Sequence, residues 1–253
     1  MIFDAHTHYD DVAYQEDREQ ILGQLIRNNV EGILNCGASL EGARESAILA
    51  EKYDFVYAAV GIHPEYADIV DYNVLMELRE LSKKDKVKAI GEIGLDYHYK
   101  ENPTRQIQMD AFRKQMELAR EVNLPVIIHD REAHEDTLNI LKEYKGVVGE
   151  IHCFSGSSEF AIECMKLGYY IGFTGVVTFK NAKKILDVIK KVPLDRILVE
   201  TDSPYMTPVP FRGEKNRSEY VKYIIEKIAE VKEVSYEELE CRTNLNTREL
   251  LRL

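Results

Sequence analysis

The sequence has few cysteines and no stretch that is rich in proline, glycine and serine. Its 253 residues include only four cysteines, and no two of them stand at the short spacing of a metal knuckle: Cys36, Cys153, Cys164 and Cys241. Such usage indicates reduced, mostly buried thiols and argues against a disulfide framework. Because the chain also lacks a linker, a low-complexity segment and a sequence repeat, we expect residues 1–253 to form a single domain.

Long apolar runs and an excess of positive charge are missing as well. The chain opens directly into a short strand-like run that contains Asp4 and His6, so neither a signal peptide nor a transmembrane segment fits. We therefore expect a cytoplasmic protein without membrane contact or an obligate protein partner. A formal net charge of -11 disfavours tight, general binding of nucleic acid. It does not exclude a phosphate-containing substrate, because bound divalent metals make a pocket locally cationic.

Short apolar runs bounded by turn residues alternate with stretches of helical periodicity. The runs, rich in Val, Ile and Ala, are 2–5, 30–36, 55–61, 87–92, 125–129, 147–152, 169–173 and 196–201. The predicted helices are 17–28, 39–52, 73–82, 104–122, 133–144, 157–167, 181–191, 218–231 and 235–251. Eight such units predict an α/β protein, a TIM (β/α)8 barrel with its active site at the C-terminal mouth of the strands. An open doubly wound sheet is the alternative, but no glycine-rich phosphate loop follows any strand.

Residues that can bind metal stand at the ends of five of the eight predicted strands. They are His6 and His8, Glu92, His129, His152 and Asp202. The C-terminal ends of the strands of a parallel barrel share one mouth, so we expect these side chains to converge on one pocket.

Four imidazoles and two carboxylates exceed what one catalytic metal uses, so the sequence predicts two divalent cations per chain. A carboxylate can bridge two cations where an imidazole cannot, which makes Glu92 the predicted bridge. The other predicted ligands form one set around each metal: His6, His8 and Asp202 for one, His129 and His152 for the other. Histidine ligands favour Zn²⁺, Mn²⁺ or Ni²⁺ over Mg²⁺ on affinity, although cellular abundance can reverse the occupancy.

The predicted chemistry is hydrolysis by water activated between two metals. Cations about 3.5–4 Å apart lower the pKa of a shared water and neutralise charge on a phosphoryl or carbonyl oxygen. Asp202 is the predicted general base, because a carboxylate at the metal edge can both ligate and accept the proton of the water.

Six segments, in chain order, carry a resemblance to a known family. They are Asp4–His8, Gly61–Pro64, Gly91–Tyr97, Leu124–Arg131, His152–Gly156 and Glu200–Tyr205. Together they resemble the TatD family of metal-dependent deoxyribonucleases, which sits in the amidohydrolase superfamily of TIM barrels. Thr243 and Asn246 resemble the C-terminal helix motif of that family, so the resemblance covers nearly the whole chain.

The resemblance implies a phosphodiesterase that binds DNA transiently as its substrate, with the 3′-to-5′ exonuclease or endonuclease activity of the family; we expect an exonuclease. It places the six metal-binding candidates on the family's ligand positions, with Glu92 on the bridging one. His63 and Arg131 match positions near the substrate, and Arg131 and Arg212 are predicted to clamp phosphate oxygens. The sequence departs from the family at Arg217-Ser218, where Glu-Pro is common, which puts the shape of that loop in doubt.

Two other functions fit parts of the same pattern. The metals could instead serve a D-aminoacyl-tRNA deacylase or another amidohydrolase-type hydrolase, because the ligand set does not distinguish the bond that is cleaved. A bridging Glu92 rather than a carboxylated lysine, together with the two arginines, favours the nuclease. A metal-stabilised binding protein without turnover is a third possibility, but Asp202 as an apparent base argues against it.

Overall fold

The structure, a computed structural model, describes residues 1–253 as eight β-strands alternating with α-helices. The strands are β1 (Ile2–Thr7), β2 (Val30–Cys36), β3 (Val56–Val60), β4 (Val87–Asp96), β5 (Val126–Arg131), β6 (Gly149–Ile151), β7 (Tyr170–Phe173) and β8 (Ile197–Val199). The helices are α1 (Arg18–Leu25), α2 (Leu40–Lys52), α3 (Tyr72–Leu81), α4 (Arg105–Val122), α5 (His134–Glu143), α6 (Ser158–Lys166), α7 (Lys183–Lys191), α8 (Val221–Lys232) and α9 (Tyr236–Leu251).

The strands form one parallel sheet that curves into a nearly closed barrel. Their order in the sheet is the order of the chain, from β1 to β8, and each neighbouring pair is parallel. The segment that follows β8 returns to the first strand, where Asp202 N donates to His6 O at 3.0 Å and His8 N donates to Ser203 O at 2.8 Å. The predicted barrel is confirmed, and the open doubly wound sheet is excluded.

Periodicity and capping explain why the helices form where they do. In α4, Phe112, Met116 and Ala119 recur at helical spacing and are buried. The hydroxyl of Ser235 accepts from Glu238 N at 3.1 Å, so Ser235 is the N-cap of α9. Near the other end of that helix, Asn246 Nδ2 donates to Leu194 O and Ile197 O, both at 2.8 Å, which ties α9 to the start of β8.

Three strands continue past their predicted ends, and the first of them, β1, runs two residues beyond Ala5. β4 runs four residues beyond Glu92, and β5 runs two beyond His129. Between Ile90 and Ile93 the register of β4 against β5 gains one residue on the β4 side. An extra residue of this kind changes the direction of the side chains beside it. Glu92 lies within this irregular stretch of β4, and its side chain is at the mouth of the barrel.

Buried apolar side chains occupy two clusters. The larger contains 56 residues from strands and helices, and the smaller contains 11, among them Phe3, Leu34 and Leu198 from strands and Leu250 and Leu251 from α9. None of the helices combines the length and the apolar character that crossing a membrane requires.

Candidate metal centre

The six predicted metal-binding residues converge at the mouth of the barrel, around Glu92. On one side, Glu92 Oε2 lies 3.4 Å from His6 Nε2 and 3.5 Å from His8 Nε2. Asp202 Oδ1 completes this side at 3.4 Å from His8 Nε2 and 3.9 Å from His6 Nε2. We call these two imidazoles and Asp202 the first half of the centre.

The other carboxylate oxygen of Glu92 faces two different imidazoles. Glu92 Oε1 lies 2.7 Å from His129 Nδ1 and 3.3 Å from His152 Nε2. We call His129 and His152 the second half. Glu92 therefore presents one oxygen to each half, which is the arrangement that a bridging carboxylate needs.

The donor atoms are suited to hold a cation. His6 Nε2 and His8 Nε2 face each other at 3.0 Å. The carbonyl of Cys36 lies 2.7 Å from His8 Nδ1, and because a carbonyl only accepts, the proton of a neutral His8 is on Nδ1. The lone pair of His8 is then on Nε2, the nitrogen that lies near Glu92 Oε2 and Asp202 Oδ1. Within the sets His6–His8–Glu92, His6–His152–Asp202 and Glu92–His129–His152, all ligating atoms lie within 4.8 Å of one another.

Both carboxylates are held in their charged form. Burial alone raises the pKa of Glu92, but the surrounding imidazoles of His152 and His6 bring it well below its usual value. Burial likewise raises the pKa of Asp202, and the contact with His8 outweighs it, so that the pKa is lowered. Ionised oxygens and imidazole lone pairs that converge in a buried site are the ligands of Zn²⁺ and Mn²⁺ rather than of a neutral organic molecule.

His63 also reaches the centre, from the turn after β3. Its Nδ1 accepts from Glu65 N at 3.2 Å, and its Nε2 lies 3.9 Å from Glu92 Oε1. Burial, together with the neighbouring His129, lowers the pKa of His63 to about 3. A neutral His63 whose Nδ1 accepts carries its proton on Nε2, so it directs a hydrogen-bond donor towards the second half.

A cavity of about 660 Å³ opens in front of the centre. Its lining includes five of the six predicted metal-binding residues, together with His63 and Arg131. Arg131 follows His129 on β5, and its guanidinium donates to the hydroxyl of Tyr99 at 3.1 Å. The lining also includes apolar side chains, those of Phe154, Phe173, Val177, Phe179 and Ile185.

Arg212 does not line this cavity, although the sequence paired it with Arg131 as a phosphate clamp. Its side chain is exposed, and its guanidinium stacks 3.8 Å from the ring centroid of Phe179. Phe179 does line the cavity, so Arg212 contacts a lining residue without lining the cavity itself.

The loop that carries the unusual Arg217-Ser218 pair is anchored to the barrel. Asn216 Nδ2 donates to Thr201 O at 2.9 Å and to Tyr205 O at 2.6 Å. Ser218 N donates to the hydroxyl of Tyr9 at 2.9 Å, a bond that a proline at this position could not make. The departure from the family pattern therefore adds an anchor to the loop.

Two carboxylates behind the imidazoles had no predicted role. Asp96 Oδ2 lies 3.2 Å from His129 Nε2, and Glu200 Oε1 lies 3.3 Å from His152 Nδ1. Both stand inside segments that carry the family resemblance, which was the one signal available in the sequence. Two further histidines lie outside the centre: His98 pairs with Glu132, and His134 with Asp130.

Comparison with known proteins gives one consistent result. The family model described as TatD related DNase matches residues 3–252. The chain is 47% identical to the uncharacterized metal-dependent hydrolase YabD of Bacillus subtilis, with 100% of both chains covered. It is 38% identical to the uncharacterized metal-dependent hydrolase YcfH of Escherichia coli K12, covering 94% of this chain and 91% of that one. The crystal structure of YjjV, a TatD homologue from Escherichia coli K12, superposes with a TM-score of 0.93 at 32% identity, covering 100% of this chain and 98% of that one. This chain belongs to the TatD family of metal-dependent hydrolases.

Proposed function

We propose that the protein hydrolyses phosphodiester bonds of DNA with two divalent cations, as a 3′-to-5′ exonuclease. The observation that carries the proposal is Glu92, whose two oxygens face separate pairs of imidazoles. The family's description as DNases supports the choice of bond. The first half and Glu92 would hold one cation, and the second half and Glu92 the other.

The charge of the cavity lining favours a phosphodiester only when cations are bound. Besides Glu92 and Asp202, its lining includes Asp10, Asp11 and Glu65, whereas Arg131 and Lys184 are its only lysine or arginine side chains. An anionic substrate would be repelled by such a pocket without added positive charge. Bound divalent cations supply that charge and, by their general chemistry, make water more acidic and stabilise charge on phosphoryl oxygens.

The protein's own residues have distinct tasks in this reaction. The oxygen of a water attacks phosphorus, the bond from phosphorus to the 3′ oxygen of the preceding nucleotide breaks, and a nucleoside 5′-monophosphate leaves. Asp202 accepts the proton of the water, because it is ionised at the edge of the cavity. His63 donates from Nε2 to the phosphate or to the departing 3′ oxygen, and Arg131 binds a non-bridging oxygen.

The test is a cleavage assay on protein that has been stripped of metal and reloaded with Zn²⁺, Mn²⁺, Ni²⁺ or Mg²⁺ in turn. DNA labelled at its 5′ end, single- and double-stranded, should shorten stepwise from the 3′ end and release mononucleotides. Asp202→Asn protein serves as the control for contaminating nucleases. D-aminoacyl-tRNA is offered in parallel, since its deacylation without DNA cleavage would favour the other hydrolase chemistry. No cleavage of DNA with any metal would overturn the proposal.

A further inference from the structure

We propose that Asp96 and Glu200 are positioning residues that hold His129 and His152 in the tautomers needed to bind the second cation. The inference rests on the proposed two-metal function. Asp96 and Glu200 are neither proposed ligands nor the general base. They contact the nitrogens of His129 and His152 that face away from Glu92.

Asp96 holds the far side of the His129 ring. The side chain of Asp96 is buried, and its Oδ2 hydrogen-bonds His129 Nε2 at 3.2 Å, while its Oδ1 accepts from His98 N at 2.9 Å. An ionised carboxylate only accepts, so Asp96 holds a proton on Nε2 of His129. Nδ1 lies 2.7 Å from Glu92 Oε1, and a cation bound beside Glu92 would take the place of a proton on Nδ1, so that this nitrogen becomes the ligand.

Glu200 has the equivalent place behind His152. It is fully buried, and its Oε1 lies 3.3 Å from His152 Nδ1 while accepting from Cys153 N at 2.6 Å. This leaves His152 Nε2 directed at Glu92 Oε1. The neighbouring strand makes room for the carboxylate, because a Cβ on Gly172 would come within 2.9 Å of Glu200 Oε1.

The first half has no such carboxylates. A backbone carbonyl, that of Cys36, accepts from His8 Nδ1. His6 Nδ1 and His152 Nδ1 are both buried without a well-formed hydrogen bond, but only His152 Nδ1 has a carboxylate oxygen beside it, Glu200 Oε1 at 3.3 Å.

The first half instead has a carboxylate of its own, Asp202, in direct contact with its imidazoles. The two halves therefore balance the positive charge of a cation differently. The first half does so with a carboxylate ligand, Asp202. The second half does so with imidazoles that contact carboxylates on their far side, and these contacts make the imidazoles stronger bases.

The test is calorimetric titration of metal-stripped protein with Mn²⁺. Wild-type protein should show two binding events, which are assigned with His6→Ala for the first half and His129→Ala for the second. Asp96→Asn and Glu200→Gln should each weaken the second-half event about ten- to a hundredfold and leave the first-half event unchanged. In the Asp96→Asn variant, the new amide can keep the bond from His98 N only by turning its NH₂ towards His129, which forces the imidazole proton onto Nδ1.

The matched control is Glu132→Gln. Glu132 also contacts an imidazole, His98, at 2.7 Å, but this pair is exposed and outside the centre, so both binding events should stay as in wild type. In the His129→Ala background, Asp96→Asn should change the remaining event no further. The inference is overturned if the variants weaken both events equally or neither, if the effect persists without His129, or if wild type binds no Mn²⁺. Metal affinity is read without DNA, so a lack of nuclease activity would reject the proposed function and leave this inference standing.

Discussion

The candidate metal centre and the rim of the cavity differ in burial and in the elements that carry their residues. The centre consists of His6, His8, Glu92, His129, His152 and Asp202, which lie on strands or at most three residues after them and are buried, apart from a half-buried His129. The rim consists of Tyr99, Arg131 and Tyr205, which line the cavity. Tyr99 and Tyr205 are 46% and 53% exposed and lie on loops, whereas Arg131 ends β5.

Under the proposed function, this difference assigns the reaction to the centre and the recognition of substrate to the rim. Side chains that are fixed by strands and by one another can hold donor atoms in one geometry, as a metal site demands. Exposed side chains on loops adjust to a substrate and tolerate change more readily. Substitutions in the centre should therefore abolish metal binding or turnover, whereas substitutions at the rim should change how well substrate binds.

The largest effect is expected for Glu92→Ala. This substitution removes both carboxylate oxygens, one of which faces each half. Bound metal should fall from about two equivalents per chain to almost none, measured by elemental analysis after dialysis. Glu65→Ala removes another glutamate that lines the cavity and should keep full metal content. Full metal content in Glu92→Ala protein would reject the bridge.

Asp202→Asn should lower kcat by roughly a hundredfold to ten-thousandfold, since the amide cannot accept the proton of the water. The shape of the side chain is kept, so the melting temperature should stay close to that of wild type. Turnover like that of wild type in this variant would remove Asp202 from the mechanism.

His63→Ala should lower kcat/KM about ten- to a hundredfold, the worth of one hydrogen bond to a charged group. Its pKa of about 3 lies below the ordinary value, so the ring is neutral and its Nε2 proton is in place throughout the neutral range. The profile of rate against pH should therefore keep its shape between about pH 5 and 9. A shift of the acidic limb in the variant would contradict a neutral donor.

Arg131→Ala should mainly raise KM, by about ten- to a hundredfold, through the loss of a charge-assisted contact to phosphate. Arg131→Lys should recover only part of this loss, because an ammonium cannot form the two parallel bonds of a guanidinium. Steady-state kinetics on a short oligonucleotide separates KM from kcat. A fall in kcat with unchanged KM would instead place Arg131 in the chemical step.

The smallest effect is expected for Arg212→Ala. The guanidinium stacks on Phe179 and does not line the cavity, so kcat/KM should change by less than about threefold. The same assay and oligonucleotide as for Arg131 make the comparison direct. A loss as large as that of Arg131→Ala would mean that Arg212 does reach the substrate.

Much of the fold could be predicted from the sequence, because strands and helices leave periodic patterns. All eight strands and nine helices lie where the alternating runs placed them. The predicted ends of β1, β4 and β5 fell two, four and two residues short, since the pattern gives no sign of how far pairing continues beyond a polar residue such as Glu92 or His129.

The site was predicted unevenly. The order of strands in a barrel is enough to bring His6, Glu92 and Asp202 to one mouth, whatever the details of packing. Arg212 was paired with Arg131 on residue type alone, and its contact with Phe179 depends on the path of a long loop that has no periodicity. Asp96 and Glu200 stood in recognisable segments, but nothing local showed that they face imidazoles on other strands.

By itself, the sequence determined the barrel and the set of six residues at its mouth, because side-chain alternation and strand order follow from local patterns. Only the tertiary structure decided that the two oxygens of Glu92 face different halves, and that carboxylates back the imidazoles of one half alone. Those facts are distances of a few ångströms between atoms on separate strands. They depend on barrel closure and on the register shift at Glu92, which no single segment of the chain encodes.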